Sequence, residues 1–449
     1  MTPDSRYHEL GTDRGLRESI KAIFAWRNYS VYLATSWAFS AFGVLLWLLN
    51  LYLYHIGWSY MTIGAVLTIM SVVSALARLV GGYLGDIADR KKLSVLAMLL
   101  ASAYMVTLGV SVELNMIVIG LMMLSLMDVV KGGSSAYILD NVPKDDSGLA
   151  LALFTAGSAL GVLTLSALWY AVPIMGFATA MRLLFLVGGV VLLFCTVIRA
   201  RFLTSSKSSR DTDTPHDLRD FIVANVRAAQ SVLAIIPGAF LVAFLDSFSD
   251  SLFHFGAYIY TNEVLGVSVL GIIIMVATML LVSVPLMLKV GRISDRHNTR
   301  RAGLIVYSLM PFSAVVLIMA PYVPLWATPE MQAATDAMLP GLGAVFTTPF
   351  VAITLKHVSD LLWSLVLVTM IQKSLPSHDT SKVLAVFWSV VYLSSSFAPA
   401  IAGVVFSLQP SLVFAMVLVL NMTIIMLVYR YGLTGLERNG KRLQLDGQS

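Results

Sequence analysis

The sequence has few charged residues and almost no cysteine. Only 12% of its 449 residues are charged, 58% are hydrophobic, and the mean hydropathy is +0.82. So little charge excludes an ordinary soluble domain, a disordered chain and a coiled coil. The single cysteine, Cys195, lies in an apolar run and excludes an internal disulfide, so cysteine content does not indicate a redox compartment. The composition indicates a polytopic membrane protein.

Sequence motifs for energy-releasing chemistry are also missing. The chain contains no P-loop, no G-x-S-x-G elbow, no H-E-x-x-H and no metal-binding cysteine cluster. We therefore expect neither an ATP-driven pump nor any other enzyme, and no cofactor. The net charge of +5 is scattered over short loops without forming a stripe, which argues against a nucleic-acid partner. The expected partners are the lipid bilayer, a small-molecule or ion substrate and a coupling ion, with the protein acting as a monomer.

Apolar windows of about 20 residues, long enough to cross a hydrocarbon core of about 30 Å, recur along nearly the whole chain. Lipid offers no hydrogen-bond partners to the backbone, so each window predicts a helix. The predicted fold class is an all-α integral membrane protein with twelve transmembrane spans. In order, spans 1 to 12 are 29–55, 60–86, 91–112, 114–140, 148–172, 174–199, 231–261, 264–290, 300–320, 341–372, 379–407 and 410–432.

The lysine and arginine residues predict the orientation of these spans. Of the 30 basic residues, 25 lie before span 1, after span 12 or in the loops that follow even-numbered spans, and the opposite loops contain none. Cytoplasmic loops retain such residues, so both termini are predicted to be cytoplasmic, in a multi-pass protein of the cell membrane. Residues 1–28 lack the apolar core of a signal peptide, and 15–27 predict a basic amphipathic helix on the inner membrane surface.

A hydrophilic segment at 203–215, rich in Ser, Thr and Asp, divides the spans into two sets of six. After it, an apolar stripe predicts a second surface helix, with Leu218, Phe221, Ile222 and Val226 on one face. The predicted organisation is a cytoplasmic N-terminal segment, a six-helix bundle, a cytoplasmic linker, a second six-helix bundle and a cytoplasmic tail, at 1–28, 29–200, 201–230, 231–432 and 433–449.

An internal repeat relates the two halves. The segment Gly82-Tyr-Leu-Gly-Asp86 follows span 2, and the similar segment Gly291-Arg-Ile-Ser-Asp295 follows span 8, 209 residues later. The same offset relates Gly57 to Gly266, each in the first outer loop of its half. A constant offset predicts two six-helix repeats in the same orientation.

At these residues the chain resembles the major facilitator superfamily over essentially its full length, and in particular the prokaryotic drug and solute transporters. The family signature of loop 2–3 is G-x-L-a-D-R-x-G-R-[RK]. Ile87 and Asp89 depart from it, and the matching residues are Gly82, Leu84, Gly85, Asp86, Arg90 and Lys91. The resemblance implies the superfamily fold and transport by alternating access between two states.

The resemblance also implies a conformational latch in these loops. In the family, the aspartate of the signature holds the outward-facing state, so Asp86 is expected beside span 11 and Asp295 beside span 5. A carboxylate near the positive end of a helix dipole gains about 0.3–1 kcal/mol. The predicted latch comprises Gly82, Asp86, Arg90, Gly291, Asp295 and Arg296. The alternative is that these loops only set the topology.

Charged residues inside the spans are the candidate site. Each costs at least about 2.5 kcal/mol at mid-membrane and is therefore expected to face a cavity. The resemblance implies that spans 1, 4, 7 and 10 line that cavity. The predicted proton- or substrate-binding residues are Asp128, Asp246, Asp250, His254 and Asp360. In the alternative interpretation, Asp128 with Lys131 and Lys356 with Asp360 are structural ion pairs.

Other membrane residues have simpler predicted roles. Arg78 and Arg182 are expected to reach the membrane interface, His357 is expected to pack, and Gly157-x-x-x-Gly161 could allow close helix packing. Two clusters of aromatic residues could stack on an organic cation or face lipid: Trp37, Trp47, Tyr52 and Tyr54 in span 1, with Trp388 and Tyr392 in span 11.

The predicted function is ion-gradient-driven transport, coupled to protons, of a small organic solute, with a cationic solute as one option. Asp128-x-x-Lys131-Gly132 resembles the span 4 motif of proton-coupled drug exporters, with Asp128 in place of the arginine, and this favours efflux. One alternative is a transporter of Fe²⁺, Mn²⁺ or Zn²⁺, because Asp246, Asp250 and His254 follow i, i+4, i+8 spacing. The other alternative is a membrane sensor that transports nothing.

Overall fold

The computed structural model describes residues 23–130, 156–205, 237–293, 299–374 and 380–431, with residues 21, 150, 153, 154 and 223 in addition. Within these ranges the chain is helical and has no strand, only an isolated bridge between Leu325 and Thr347. The predicted surface helices at 15–27 and after residue 215, and the tail at 433–449, lie mostly or wholly outside the described residues.

The described residues contain twelve long helices, one for each predicted span. Helices α1 to α6 are Arg27–His55, Tyr60–Ile87, Arg90–Val110, Leu114–Leu126, Gly157–Met175 and Phe177–Phe202. Helices α7 to α10 are Pro237–Glu263, Val269–Ile293, Thr299–Met319 and Thr348–Ser374. Helix α11 has two segments, Thr380–Ser395 and Ala398–Leu408, and α12 is Pro410–Tyr431.

By length and composition, seven of the described helices are apolar enough to span a membrane: α1, α2, α3, α5, α6, α11 and α12. Shorter apolar stretches belong to α4, α8 and α9, at Leu114–Val130, Val269–Ser283 and Leu304–Met319. Helices α7 and α10 contain the charged residues of the candidate site, which lower their hydropathy. The twelve helices form two six-helix repeats, as the sequence predicts.

The repeat is visible in the backbone of the two equivalent outer turns. Gly57 and Gly266 have φ values of 93° and 68°, in the left-handed region that favours glycine. Each glycine lies in the short connection between the first and second helices of its half. The offset in the sequence therefore corresponds to a left-handed glycine at the equivalent turn of each half.

The connection between α9 and α10 differs from the prediction, in which residues 321–340 form a loop and span 10 begins at residue 341. It contains a ten-residue helix, Pro329–Met338, which Thr328 caps by accepting a hydrogen bond from the backbone N–H of Met331. The chain then turns at Gly341, where φ is 90°, and forms a 3₁₀ segment at Leu342–Phe346. Helix α10 therefore begins at Thr348, seven residues after the predicted start.

The two halves approach each other most closely where α2 meets α11, at the membrane side opposite the chain termini. A Cβ atom added to Gly64 would lie 2.4 Å from the Pro399 carbonyl oxygen, and one added to Gly403 would lie 2.5 Å from the Tyr60 carbonyl oxygen. Real Cβ atoms do not come so close, so only glycine fits at either position. The α2–α11 contact is thus one of backbone against backbone.

The predicted close packing of Gly157-x-x-x-Gly161 on α5 is confirmed. A Cβ atom on Gly157 would lie 2.1 Å from the Trp37 ring, and one on Gly161 would lie 3.0 Å from Val44.

Two hydrogen bonds also join the outer ends of the halves. Trp169 Nε1 donates to the Pro340 carbonyl at 2.8 Å, and the Asn50 amide donates to the His254 carbonyl at 3.1 Å. These contacts close the molecule on the side opposite the termini.

Candidate solute-binding site

A cavity of about 300 Å³ lies between the two halves. Every residue that lines it has a polar group in its side chain, which is unusual for the interior of so apolar a chain. The lining residues come from α2, α7 and α11: Ser71, Ser74, Arg78, Ser247, Asp250, Ser251, His254, Tyr392, Ser395 and Ser396. Of the four spans expected to line the cavity, only α7 does so among the described residues. Helices α4 and α10 do not line the cavity, but Asp128 of α4 and Lys356 and Asp360 of α10 form ion pairs with residues that do.

On the N-terminal half, the cavity wall is an ion pair between Arg78 and Asp128. Arg78 Nε donates to Asp128 Oδ2 at 2.9 Å, and the Ser74 hydroxyl donates to the same oxygen. The Arg78 side chain is 34% exposed, whereas that of Asp128 is only 9% exposed, so the guanidinium is the part that reaches the cavity. The expectation that Arg78 extends to the membrane interface is therefore wrong. Lys131, the partner that the sequence predicts for Asp128, lies outside the described residues.

Tyr392 closes this wall from the opposite half of the molecule. The Arg78 guanidinium lies over the Tyr392 ring, 4.1 Å from its centroid, and the ring stacks in turn on Trp388. The sequence suggested that Tyr392 and Trp388 could stack on an organic cation. In the structure, the cation on Tyr392 is a side chain of the protein, and the contact joins α2 to α11.

On the C-terminal half, the cavity wall is built on a buried lysine. The Lys356 ammonium donates hydrogen bonds to Asp250 of α7 and to Asp360 one turn along α10. His254 Nε2 lies 3.5 Å from Asp360 Oδ2, with its side chain 57% exposed. The structure thus brings together Asp250, His254 and Asp360. It confirms the predicted Lys356–Asp360 pair and adds Asp250, which spacing within one helix could not identify.

This arrangement does not support the divalent-metal alternative. Of the three predicted ligands, Asp250 is paired with the Lys356 ammonium, and Asp246 contacts Tyr307 and Trp363 instead. Among the described residues, no three His, Cys, Asp or Glu side chains form a group that could hold a metal ion. His357 packs against the ring of Trp47 at a centroid distance of 5.2 Å, in line with its predicted packing role.

Asp246 does not join the other predicted site residues, although it lies on the same helix as Asp250. Its carboxyl group is within hydrogen-bonding distance of the Tyr307 hydroxyl on one oxygen and of Trp363 Nε1 on the other, at 2.9 Å each. Asn421 Oδ1 lies 3.0 Å from the same Tyr307 hydroxyl and accepts from Ser249 at 2.8 Å. Asp246 is thus part of a separate network behind the cavity wall. Sequence analysis missed its uncharged members, because isolated Tyr, Trp and Asn residues in apolar spans have no distinguishing pattern.

Arg199 is the last residue of predicted span 6, and the sequence indicates no role for it. It lies within α6 and is 3% exposed. Its guanidinium donates to the hydroxyls of Thr35 at 2.8 Å, Ser36 at 2.7 Å and Ser94 at 2.9 Å, and lies over the Tyr32 ring. These bonds tie α6 to α1 and α3, which gives Arg199 a role in holding the N-terminal half together.

The predicted latch lies at the ends of α2 and α8, on the side of the chain termini. Gly82 and Asp86 fall in the last turns of α2, Arg90 begins α3, and Gly291 falls in the last turn of α8. The side chain of Asp86 and the whole of Asp295 and Arg296 lie outside the described residues. The latch therefore stays a prediction.

Asp89, which departs from the signature, caps α3. It accepts a hydrogen bond from the Lys91 backbone N–H at 2.9 Å and another from the Ser205 hydroxyl. Partial burial raises the pKa of the Asp89 carboxyl, but these hydrogen bonds and the charges of Lys92 and Lys91 outweigh burial, so the pKa lies below its ordinary value. The departure from glycine thus supplies a helix cap and an anchor for the segment after α6.

Comparison with known proteins agrees with this architecture. The family model of the Major Facilitator Superfamily matches residues 29–361. No curated protein sequence is similar enough to count as a match.

Solved structures share the fold over most of both chains. A D-xylose-proton symporter superposes with a TM-score of 0.62 at 12% identity, covering 89% of this chain and 97% of its own. A POT family transporter in complex with 5-aminolevulinic acid gives 0.64 at 14% identity, with 91% and 96% covered. The human organic anion transporter MFSD10 gives 0.56 at 16% identity, with 90% and 99% covered.

Proposed function

Because the chain belongs to the Major Facilitator Superfamily, we propose that it is a proton-coupled secondary active transporter of a small polar organic solute. The solute binds in the cavity between the halves, and the halves alternate in opening to the two sides of the membrane. Several proteins with this fold are named as transporters of small solutes, one of them as a proton symporter, which supports proton coupling here. We place both termini in the cytoplasm, from the distribution of basic residues.

The arrangement of Lys356 between Asp250 and Asp360 carries the proposal. One buried cation faces two carboxylates, so while His254 beside Asp360 is neutral the group has an excess negative charge until one carboxylate is neutralised. A proton on either carboxylate removes that excess and leaves Lys356 paired with the other. A buried ammonium left without any carboxylate would be strongly destabilising, which this arrangement avoids. The group can therefore take up and release a proton during a transport cycle.

The same arrangement supports the proposal of a cationic solute and of export. The Asp250 side chain is 32% exposed and lines the cavity, so a positively charged group of the solute can bind there. A proton and a cationic solute that compete for Asp250 would exchange with each other. In a cell with an inward proton gradient, such exchange drives the solute outward. The serine hydroxyls of the cavity would bind the polar remainder of the solute, opposite Arg78.

The first experiment identifies the solute. Binding to the folded state raises the apparent melting temperature, so a library of organic cations, amino acids, sugars, phosphates and divalent metals is screened by thermal shift on the purified protein. Solute counterflow in liposomes then separates a transporter, which shows it, from a sensor, which does not.

The second experiment tests proton coupling with Asp128→Asn, Asp250→Asn and Asp360→Asn, compared with Glu113→Gln in an exposed outer loop. Asp250→Asn and Asp360→Asn each leave Lys356 one carboxylate partner. At least one of the three variants is expected to exchange solute across the membrane but to lose accumulation driven by a pH gradient. The Glu113→Gln control should keep both activities. Uphill transport that persists in all three variants contradicts the proposal.

A calorimetric titration distinguishes the proposed organic-solute transporter from the divalent-metal alternative. Metal ligands must be deprotonated, so a metal site would lose affinity as pH falls and when His254 is replaced. We expect no saturable heat with Mn²⁺ or Zn²⁺ in the wild type or in His254→Gln. Micromolar metal binding that disappears in His254→Gln would show that the metal alternative is correct.

A further inference from the structure

The network around Asp246 is a second polar site in the C-terminal half, distinct from the solute cavity. Asp246 lies on α7, and its neighbours are Tyr307 of α9, Trp363 of α10 and Asn421 of α12. Tyr307, Trp363 and Asn421 are at most 2% exposed, and Asp246 is 8% exposed. None of the four lines the cavity described above. The network has no place in the proposed solute site, and its hydrogen-bonding pattern is informative.

The positions of hydrogen atoms constrain the protonation of Asp246. A tyrosine hydroxyl has one hydrogen to donate, yet the Tyr307 oxygen lies 2.9 Å from Asp246 Oδ1 and 3.0 Å from Asn421 Oδ1. If Asp246 is ionised, both neighbouring oxygens are acceptors and one contact has no hydrogen. If Asp246 carries a proton on Oδ1, it donates to Tyr307 and Tyr307 donates to Asn421. The other Asp246 oxygen then accepts from Trp363 Nε1, a group that can only donate.

A rival arrangement turns the Asn421 amide over, so that its nitrogen donates to Tyr307 and Asp246 stays ionised. In the structure, the Asn421 Nδ2 atom is buried and has no hydrogen-bond partner, and the rival would leave the amide oxygen in that position instead. The rival arrangement therefore also leaves one buried polar atom of Asn421 without a hydrogen-bond partner. It also adds a buried charge, which is far more costly than a buried neutral group.

The charges near Asp246 decide between the two arrangements. The charged side chains that act on it are Asp250 of its own helix and Lys356 and Asp360 of α10. Helix α9 contributes Tyr307, α12 contributes the uncharged Asn421, and α11 packs against this region with Phe387 and Val391. Lys356 is already shared by two carboxylates. An ionised Asp246 would therefore be a second excess negative charge in a buried region.

We propose that Asp246 is a buried proton-binding site, separate from the solute cavity, that is loaded through Asp250. Asp250 lies one helical turn along α7 and lines the cavity. In the loading step, the O–H bond of protonated Asp250 breaks and an O–H bond forms on ionised Asp246. Asp250 is then ionised again and shares Lys356 with Asp360. The role of this proton in coupling rests on the proposed transport function, whereas its presence on Asp246 does not.

Infrared spectroscopy of the full-length protein in lipid tests the presence of the proton. A protonated carboxylic acid has a carbonyl stretching band that ionised carboxylates lack. At neutral pH we expect such a band in the wild-type minus Asp246→Asn difference spectrum, and no such band in the difference spectrum of the exposed-loop variant Glu113→Gln. The difference spectrum separates Asp246 from any proton on Asp250 or Asp360. Asn matches the proposed neutral acid in shape and can donate to Tyr307, so the variant should fold. A wild-type minus Asp246→Asn difference spectrum without the band overturns the proposal.

A second variant keeps the test decisive if Asp246→Asn does not fold. Tyr307→Phe removes the acceptor of the Asp246 O–H group but leaves the acid in place. The carbonyl band is then expected to move to higher frequency, because the acid loses a hydrogen bond. A band whose frequency does not change in Tyr307→Phe shows that the acid does not belong to this network and overturns the proposal.

Transport by Asp246→Asn tests the coupling role. We expect solute counterflow close to that of the wild type and a loss of pH-driven accumulation to the level seen with the gradient dissipated. Accumulation that persists, together with loss of the infrared band, would overturn the coupling role and leave only the bound proton. If the wild type itself accumulates no solute with a pH gradient, the proposed function fails, and the infrared band still decides the protonation of Asp246.

Discussion

The guanidinium of Arg78 lies between the Asp128 carboxylate, at 2.9 Å, and the ring of Tyr392, with 4.1 Å to the centroid. Asp128 belongs to the same half of the molecule as Arg78, whereas Tyr392 belongs to the other half. The ion pair therefore holds the guanidinium in place, and the ring makes it part of the interface between the halves. A movement that separates α2 from α11 must break the contact with the ring and can leave the ion pair intact.

Replacing Tyr392 with leucine is expected to favour the state in which α2 and α11 separate. A cation–π contact is worth about 0.5–2 kcal/mol, depending on solvation, which corresponds to an equilibrium shift of about 2- to 30-fold. Spin labels at the inner ends of α2 and α11, the ends nearer to this contact, measure the shift, in a background that lacks the single cysteine, Cys195. Tyr392→Phe retains the ring and should behave like the wild type. Equal distance distributions in Tyr392→Leu and Tyr392→Phe would refute the prediction.

Replacing Asp86 with asparagine is expected to impair the transport cycle without weakening solute binding. The predicted latch contact exists in only one of the two states, so its loss should slow net transport, while a thermal-shift titration gives a near-normal affinity. Asp89→Asn is the matched control, because asparagine also caps helices well. If Asp86→Asn loses affinity in proportion to transport, loop 2–3 is not a latch.

Replacing Gly403 with alanine is expected to force apart the outer ends of the two halves. The added Cβ atom would lie 2.5 Å from the Tyr60 carbonyl oxygen, and backbone atoms on both sides leave no flexible group to yield. A cysteine introduced at an outer cavity position should then be labelled faster by an impermeant reagent added from the outer side. Gly43→Ala on α1 is the control, since a Cβ atom there meets nothing within 4 Å. Unchanged labelling in Gly403→Ala would show that the contact does not close the cavity.

Replacing Asp89 with alanine should destabilise the protein by about 1 kcal/mol, through loss of the α3 cap. Because the folded-state pKa of Asp89 is lowered, its charge stabilises the folded state above the ordinary aspartate pKa. That stabilisation is lost as pH falls through the lowered value. The melting temperatures of wild type and Asp89→Asn should therefore differ at neutral pH and converge in acid. A difference that does not depend on pH would mean that the charge contributes nothing.

Hydropathy was sufficient to predict the helices, because each depends on residues close together in the chain. The repeat could be predicted because similar segments recur at a constant offset. The outer turns at Gly57 and Gly266 are an example of this recurrence, and the packing of Gly157 is predictable from its spacing to Gly161. The ion pairs were only half predictable. Charges in the spans indicated that Asp128 and Lys356 needed partners, but Arg78 and Asp250 lie on other helices, and one sequence does not specify which helices pack together.

Two further errors have physical causes. Span 6 was ended at Arg199 because the apolar window ends there, yet hydrogen bonds from its guanidinium to three hydroxyl groups allow the charge to be buried inside α6, which continues to Phe202. Asp246 was grouped with Asp250 and His254 because helical spacing puts them on one face. Its own partners, Tyr307 and Trp363, hold it in the wall behind the cavity instead.

The contact between Gly64 and Gly403 affects how natural variation in this protein should be interpreted. Both glycines are required by the close approach of two backbones, and neither lines the solute cavity. Relatives that transport different solutes should therefore retain both glycines and vary at the serines of α7 and α11. In a mutational scan, loss of activity on substitution of Gly64 or Gly403 would indicate that the two halves no longer open and close normally. The residues that determine solute specificity would instead be found among positions that tolerate substitution.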